Sequence, residues 1–423
     1  MCPRLQPRQL QEVCELTFVK ALRCRECGTE YPPALLYVCK KCFGPLEVIY
    51  QYDSLNLKPG VFAKRPRTIW RYRELLPVGE ASQIVDLGVG FTPLRRAKRL
   101  GDILDVKELY VKDDTVNPSG SFKDRPAAVA VTKALDFKAA AVGCASTGNL
   151  AAAVAAHAAK AGLPCYVFIP AGTEAAKTVQ ASSYGAKIVV VQGTYDDANR
   201  LAAEAAERYG WAFANINVRP YYVEGSKTLA FETCEQLSWT TPDRAIIPVG
   251  SGALLCAIHK GFQELAKVGL IERDEVRMTG AQPEGCSPVV SAFRNGCNDI
   301  LPVERPETVA KSLAIGDPGD GLYAARTIAQ TAGFAESVPD WEIVDAIRLL
   351  AKTEGVFAEP AGAVTIAALR RGLENGEISP DERIVCYITG NGLKAPDCLL
   401  SSLPQPFEVQ PRLEALEAIR LEV

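Results

Sequence analysis

Histidine is nearly absent from this chain: His157 and His259 are the two in 423 residues. Both fall in alanine- or leucine-rich helical patterns, where a satisfied packing or surface role is expected. A Ser-His-Asp hydrolase or a histidine-based metal hydrolase has little to work with here. Acid–base chemistry therefore falls to lysine or carboxylate. Long hydrophobic runs are also missing. The longest apolar region, Leu150 to Ala161, is alanine-rich and interrupted by His157 and Lys160, too short and too weakly hydrophobic to cross a bilayer. The start, Met1-Cys2-Pro3-Arg4, has no continuous apolar stretch, so no secretory signal is expected and a cytoplasmic location is the default. Excess positive charge is lacking too: 47 Lys and Arg stand against 50 Asp and Glu, a net −3, which argues against a nucleic-acid partner. The basic run Lys64-Arg65-Pro66-Arg67 reads as a solvated turn. The remainder, 48% hydrophobic and 23% charged, is that of a soluble globular protein with chain enough for two or three domains.

Cysteine is plentiful at fourteen residues. Most are scattered, several in apolar runs (Cys144, Cys165, Cys256, Cys386), as small buried hydrophobes are. A disulfide framework does not suit a long chain without an export signal. Four are different. Cys24-Arg25-Glu26-Cys27-Gly28 and Cys39-Lys40-Lys41-Cys42-Phe43-Gly44 are Cys-x2-Cys pairs eleven residues apart, each followed by glycine. Two such knuckles place four thiolates around one structural zinc, with glycine easing the turns. Free thiols in a degenerate knuckle, or an iron site of the rubredoxin kind, are the alternatives. Residues 20–50 thus read as a small zinc-ribbon-like unit.

From residue 105 short apolar strands alternate with helices, the mark of parallel sheets covered on both faces. Strands are expected at 107–112, 139–144, 165–169, 187–191, 211–214, 244–249, 276–281 and 384–388. Helices are expected at 150–160, 174–184, 196–209, 224–237, 253–268, 340–354 and 361–372. Residues 283–320, rich in Pro, Gly, Asn and Asp, read as irregular.

In open α/β sheets ligands bind where strands give way to loops. Three strand ends carry small polar glycine loops: Ser146-Thr147-Gly148-Asn149, Gly250-Ser251-Gly252-Ala253-Leu254 and Thr389-Gly390-Asn391-Gly392. The second is the best anion site, because glycine turns the amides inward and a helix N-terminus follows. It lacks the Gly-Lys-Ser/Thr of a Walker loop, and Leu255 stands where a dinucleotide fingerprint has its third glycine. A single phosphate is favoured. Lys123 lies between the turn Asn117-Pro118-Ser119-Gly120-Ser121-Phe122 and a helix start, where the dipole disfavours a cation and helps an amine act as a nucleophile. A phosphate cradle, such a lysine and almost no histidine suit pyridoxal phosphate, whose aldehyde needs an amine.

These motifs carry a family resemblance. Asn117–Pro126, with its Ser-Phe-Lys-Asp-Arg core, resembles the lysine segment of fold-type II pyridoxal-phosphate enzymes, and among them most resembles the threonine synthases. Gly90-Phe91-Thr92-Pro93-Leu94, Cys144 to Asn149, Glu224-Gly225-Ser226-Lys227-Thr228 and Ile388 to Lys394 match further family segments in order. The cysteine knuckles recur in one branch. The resemblance implies tryptophan synthase β-like architecture: two doubly wound three-layer α/β domains, the smaller at 126–215 and the larger formed by 51–125 and 216–423, with the cofactor in the cleft. It implies that Lys123 forms the Schiff base, Phe122 flanks the ring and Asn149 bonds the 3′-oxygen. It further implies that amides of Gly250, Ser251, Gly252, Ala253 and Leu254 hold the phosphate, and that Thr389 meets the pyridine nitrogen. Ser146, Thr147 and Asn149 would receive the carboxylate of a phosphorylated amino acid, in a homodimer that converts O-phosphohomoserine to threonine. Two departures touch the substrate-phosphate site. Tyr222 stands where many relatives have arginine, leaving Arg219 as the nearby positive charge, and the phosphate loop has no asparagine. Serine/threonine dehydration, cysteate or cysteine synthesis from O-phosphoserine, and a cofactor-free zinc-ribbon phospholigand-binding module are the competing readings.

Overall fold

The structure, a computed structural model, describes residues 18–174 and 177–417. The expectation about a signal at residues 1–4 lies outside them, as do two residues of the helix expected at 174–184.

The chain begins with a small antiparallel sheet of β1 (Val19–Cys24), β2 (Glu30–Tyr31) and β3 (Leu46–Tyr50), in the order β2-β1-β3. Then come β4 (Leu94–Arg96) and β5 (Glu108–Asp113). Next are β6 (Val142–Ala145), β7 (Cys165–Pro170), β8 (Lys187–Val191) and β9 (Ala212–Phe213). They are followed by β10 (Arg244–Pro248), β11 (Arg277–Pro283), β12 (Ala335–Val338) and β13 (Arg383–Ile388). Two parallel sheets result: a four-stranded one ordered β8-β7-β6-β9, and a six-stranded one ordered β12-β11-β10-β13-β5-β4 with β4 antiparallel at its edge.

Both faces of the six-stranded sheet are buried, and alternate residues serve different cores. Ile246, Ile384, Cys386 and Ile388 pack beneath the helices Asp340–Glu354 and Pro360–Glu374. Ala245, Ile247, Val385 and Tyr387 face Thr228–Gln236, Ala253–Lys267 and Gly321–Gln330. The four-stranded sheet is likewise covered by Asp124–Asp136 and Asn149–Ala161 on one side and by Tyr195–Tyr209 on the other. Tyr195–Tyr209 shows why its ends are so definite. Thr194 and Asp197 form a reciprocal capping box at its start, and Gly210 takes φ +66 at its end.

Several expectations are corrected. The helix expected at 224–237 is two, Arg219–Ser226 and Thr228–Gln236, meeting at Lys227. Residues 283–320 include the helix Pro288–Arg294, begun by a proline at its first turn. In the basic run, Arg65 is half-buried and clamps Glu74 at 2.6 Å. His157 is fully buried: its Nδ1 faces Ala153 O at 2.8 Å while Nε2 has no hydrogen-bond partner among the described residues. Burial pushes it down to about 4, so the Asp124 carboxylate 3.8 Å away faces a neutral ring. His259 is half-buried, with a buried Nδ1 that has no hydrogen-bond partner among the described residues.

The most deeply buried polar cluster centres on Arg125. Its guanidinium is fully enclosed and bonds Asp114 (2.7 and 2.8 Å), Glu232 (2.5 and 2.8 Å), Thr228 (2.9 Å) and Thr92 (3.1 Å). Lys112 adds a second cation, 2.7 Å from Glu232. Burial alone would raise the Glu232 carboxyl, but Arg125 and Lys112 hold it down to about 2. Removing one partner of such a buried set leaves charges uncompensated at a cost of about 3–5 kcal/mol. Arg125→Ala is expected to lose that much stability in urea unfolding. A loss below about 1 kcal/mol would refute the assignment of Arg125 as the centre of this core.

Candidate active site

The strands β10, β13 and β5 are neighbours, and the polar loops leave from their C-terminal ends. β10 runs into Gly250–Leu254, β13 into Thr389–Gly392 and β5 into the segment leading to Lys123. The chain order reverses here: β10 connects outward to β11 on one side, while β13 and β5 lie on the other. A ligand crevice is expected at that switch.

Hydrogen bonds between loops complete the crevice. Phe122 N donates to Thr389 O at 2.8 Å, Asn391 N to Gly120 O at 2.9 Å and Glu359 N to Gly390 O at 2.8 Å. Gly120 takes φ +79, and a Cβ there would sit 3.1 Å from Lys394 Cε. The Asp124 carboxylate accepts from Ser119 N at 2.7 Å, closing the turn that presents Lys123. Burial raises that carboxyl to about 6.

Lys123 is half-buried. Its Nζ donates to the Tyr222 hydroxyl at 3.1 Å and lies 4.5 Å from the centre of the Phe122 ring. Tyr222 comes from the helix Arg219–Ser226, which crosses the lysine's helix very closely. A Cβ on Gly225 would lie 2.3 Å from Arg125 O, so only glycine fits that crossing. This explains the Glu-Gly-x-Lys-Thr segment. Its Gly225 permits the crossing, its Thr228 bonds Arg125, and its Glu224 and Lys227 form a buried pair at 2.5 Å.

The loop after β6 faces these groups. Asn215 clasps it, donating to Ala145 O and accepting from Ala145 N, both at 3.1 Å. Tyr195 OH donates to Ala145 O at 3.0 Å. Ser146 and Thr147 follow, half-buried, and Asn149 opens the helix Asn149–Ala161. The Asn149 amide donates to both oxygens of Glu359, at 2.9 and 3.1 Å. Sequence reading passed over Glu359. It is buried at the crevice floor, where burial raises its carboxyl while Asn149, Lys394 and Lys123 pull it down. A glutamate directly before a helix-starting proline was the available signal.

The Gly250–Leu254 loop opens the fifteen-residue helix Ala253–Lys267. Gly252 takes φ +91, and a Cβ there would lie 2.5 Å from Asp320 O. Thr389 is buried beside the lysine loop. Arg219 is not a free charge: it is ion-paired to Asp320 beside this loop. The four cysteines do converge, with all four Sγ atoms within 4.8 Å of one another. Gly28 supplies the left-handed turn after the first pair at φ +70, but after the second pair Phe43 does so at φ +60. Gly44 is small for another reason, since its Cβ would meet Cys24 Sγ at 3.0 Å.

A lysine on the turn that follows β5, next to strands β13 and β10 whose ends carry the Thr389 loop and a glycine loop opening a long helix, is the arrangement expected of a fold-type II pyridoxal-phosphate enzyme. A family model described as "Pyridoxal-phosphate dependent enzyme" matches residues 85–390. The threonine synthase of Methanocaldococcus jannaschii is 45% identical over 407 residues, spanning 95% of this chain and 99% of its own. That of Methanosarcina acetivorans is 41% identical over 401 residues, spanning 94% and 98%. The chain belongs to the pyridoxal-phosphate dependent enzymes and, among them, to the threonine synthase family. Among solved structures, maize serine racemase superposes with a TM-score of 0.62 at 23% identity, covering 74% of this chain and 91% of its own. Threonine deaminase isoform 2 from Solanum lycopersicum gives 0.61 at 24%, covering 71% and 84%. These two bear on the fold alone. Among the described residues, no helix is long and apolar enough to cross a membrane.

Lys123→Ala is expected to remain folded, because among the described residues the Lys123 side chain makes a single hydrogen bond, to Tyr222. It is also expected to lose the visible absorbance that pyridoxal phosphate gives with the parent protein. An unchanged spectrum would exclude Lys123 as the cofactor's lysine.

Proposed function

We propose that this chain converts O-phosphohomoserine and water into L-threonine and phosphate, as a pyridoxal-phosphate-dependent lyase. The observation that carries the reading is the Lys123 amine held between Phe122 and Tyr222, in a chain 45% identical to a threonine synthase along nearly its whole length. Lys123 would hold the cofactor through its amine, Gly250–Leu254 its phosphate, Asn149 its 3′-oxygen, Phe122 its ring and Thr389 its pyridine nitrogen. When bound, the cofactor supplies an electron sink for the negative charge that develops on the substrate's carbon chain.

The protein's own groups then have distinct tasks. The Lys123 amine takes a proton from Cα and exchanges protons at Cβ, and the Tyr222 hydroxyl orients it. Phosphate leaves Cγ and water adds at Cβ, so substrate plus water balances threonine plus phosphate. Ser146, Thr147 and Asn149 offer hydroxyl and amide donors at a helix N-terminus, which suits the substrate carboxylate. Arg219 can serve the substrate phosphate only by exchanging its Asp320 partner. We further assign the four cysteines one structural zinc, place the cofactor cleft between units at 126–215 and at 51–125 with 216–423, and expect a cytoplasmic homodimer.

Purified protein is expected to release phosphate and form threonine from O-phosphohomoserine, with no comparable turnover of O-phosphoserine or threonine. Release from O-phosphoserine alone would replace this reading with cysteate- or cysteine-type synthesis. One equivalent of zinc by elemental analysis, lost in Cys39→Ser, is expected at the cysteines. Metal-free parent protein, or the red colour of an iron site, would overturn that assignment.

A further inference from the structure

We infer that Arg25, in the turn between Cys24 and Cys27, is a positioning residue for the phosphate-binding loop, so that the cysteine cluster tunes how tightly the cofactor's phosphate is held. The inference rests on reading Gly250–Leu254 as that loop.

The connection runs through Asp320. Its backbone N donates to Ser251 O at 2.9 Å, and its backbone carbonyl occupies the space that a Cβ on Gly252 would need. The segment around Asp320 is therefore the outer wall of the loop. Its buried carboxylate, 3% exposed, is held by Arg219 on one oxygen and by Arg25 on the other at 3.3 Å. Arg25 also lies 3.8 Å over the ring of Tyr323, one turn into the following helix, and the Glu26 carboxylate accepts from the Tyr323 hydroxyl. Two residues between the first cysteine pair thus grip the wall of the loop from outside. A cleft of about 140 Å³ lies at this junction, lined by Arg25, Arg219, Ala253, Cys256 and Asp320 among others.

The turn that carries Arg25 is set by the cluster itself. Gly28 N donates to Cys24 O at 3.1 Å, and Arg25 N donates to Pro45 O at 3.0 Å, just after the second cysteine pair. Cross-linking the four thiolates through one ion would fix this turn and with it the guanidinium. Without Arg25, the Asp320 carboxylate keeps Arg219 as its ion-pair partner among the described residues and loses the restraint on its other oxygen. A shift of Asp320 reaches Ser251 and Gly252 through the backbone.

A phosphate-specific comparison tests this. Cofactor-stripped full-length protein is titrated with pyridoxal phosphate and with pyridoxal, which has the aldehyde and ring but no phosphate. Arg25→Ala is expected to raise the Kd for pyridoxal phosphate about tenfold, and to leave that for pyridoxal within about twofold. Metal content and the melting temperature of the stripped protein should match the parent. Arg25→Lys, which keeps a charge opposite Asp320, is expected to recover most of the affinity. If Arg25→Ala weakens both ligands equally, or neither, the coupling is refuted. Gly252→Ala tests the underlying reading separately: it should abolish the preference for the phosphorylated ligand. If it does not, the loop assignment fails and the coupling with it. If Gly252→Ala abolishes the preference and Arg25→Ala does not change it, only the coupling fails. Should Arg25→Ala not accumulate as folded protein, Arg25→Gln, which keeps a stem over the Tyr323 ring but removes the charge opposite Asp320, makes the same comparison with the same two outcomes.

Discussion

The fully enclosed guanidinium of Arg125 is the constraint on which the active-site geometry depends. It lies two residues after Lys123, so whatever fixes Arg125 fixes the lysine to within a turn of helix. Its partners come from three separated parts of the chain: Thr92, Asp114, and the helix that carries both Thr228 and Glu232. With Lys112 the cluster holds two cations and two anions, so no net charge is buried. Such a cluster gives modest net stability, because desolvation offsets much of the attraction. Its value is in specificity: a neighbouring register of the helix Asp124–Asp136 would strand two carboxylates. The threonine at 92 in the Gly-x-Thr-Pro-Leu motif and the arginine after Lys-Asp are thereby explained as parts of one structural device.

A second buried cluster joins the cysteine-bearing sheet to the body. Glu224 accepts from Tyr50, Lys227 and Lys260, while Glu264 meets Tyr52 and Lys227. Tyr50 ends β3, and Tyr52 lies just beyond it. Glu224 lies in the helix that carries Tyr222, and Lys227 directly follows that helix. Again two carboxylates face two ammonium groups. The small sheet is therefore docked through charge-assisted hydrogen bonds to the helix that presents the lysine's hydrogen-bond partner, and through Arg25 to the wall of the glycine loop. It holds the site from two directions.

Much of this was legible in the sequence, and the division between what was and was not is physical. Elements with long apolar patterning and firm ends were readable: Asp340–Glu354 was expected at those residues, and Lys187–Val191 likewise. β12 was missed because Ala335-Glu336-Ser337-Val338 has too little apolar character to stand out beside its loop. The break at Lys227 was missed because helical propensity continues through it, and the interruption comes from packing against Arg125. In the site, the cysteine quartet and the three glycine loops follow from local spacing; the structure puts two of the loops at one end of the six-stranded sheet and the third at the end of β6 in the four-stranded sheet, where Asn149 reaches across to Glu359. The one sign at Glu359, its place before Pro360, says nothing of its partner, and Asp320 carried no such local sign. Their roles come from partners 210 residues away at Asn149 and 101 residues away at Arg219. The contact of Tyr222 with Lys123 spans 99 residues, and a single sequence cannot reveal it.

The parallel sheet also explains why the site can be rigid although it is made of loops. Beyond the last ladder pair of β13 and β5, Ile388 opposite Asp113, pairing does not stop. Ser121 bridges Gly390 and Ala358 bridges Asn391, both antiparallel, so the lysine turn and the segment before Pro360 add short rungs to the end of β13. Gly390 must be small there, since its Cβ would lie 2.3 Å from a Glu359 carboxylate oxygen. Gly392 is packed against the Phe357 ring for the same reason, with a Cβ clearance of 2.6 Å. The Thr-Gly-Asn-Gly sequence is thus less a flexible loop than a strand extension from which side chains have been removed. Its glycines let a carboxylate and an aromatic ring approach the backbone, and its amides and carbonyls hold Phe122 and Glu359 in place. Groups fixed by backbone bonds of this kind lose little freedom when a ligand arrives, which is what the role proposed for the Lys123 amine requires.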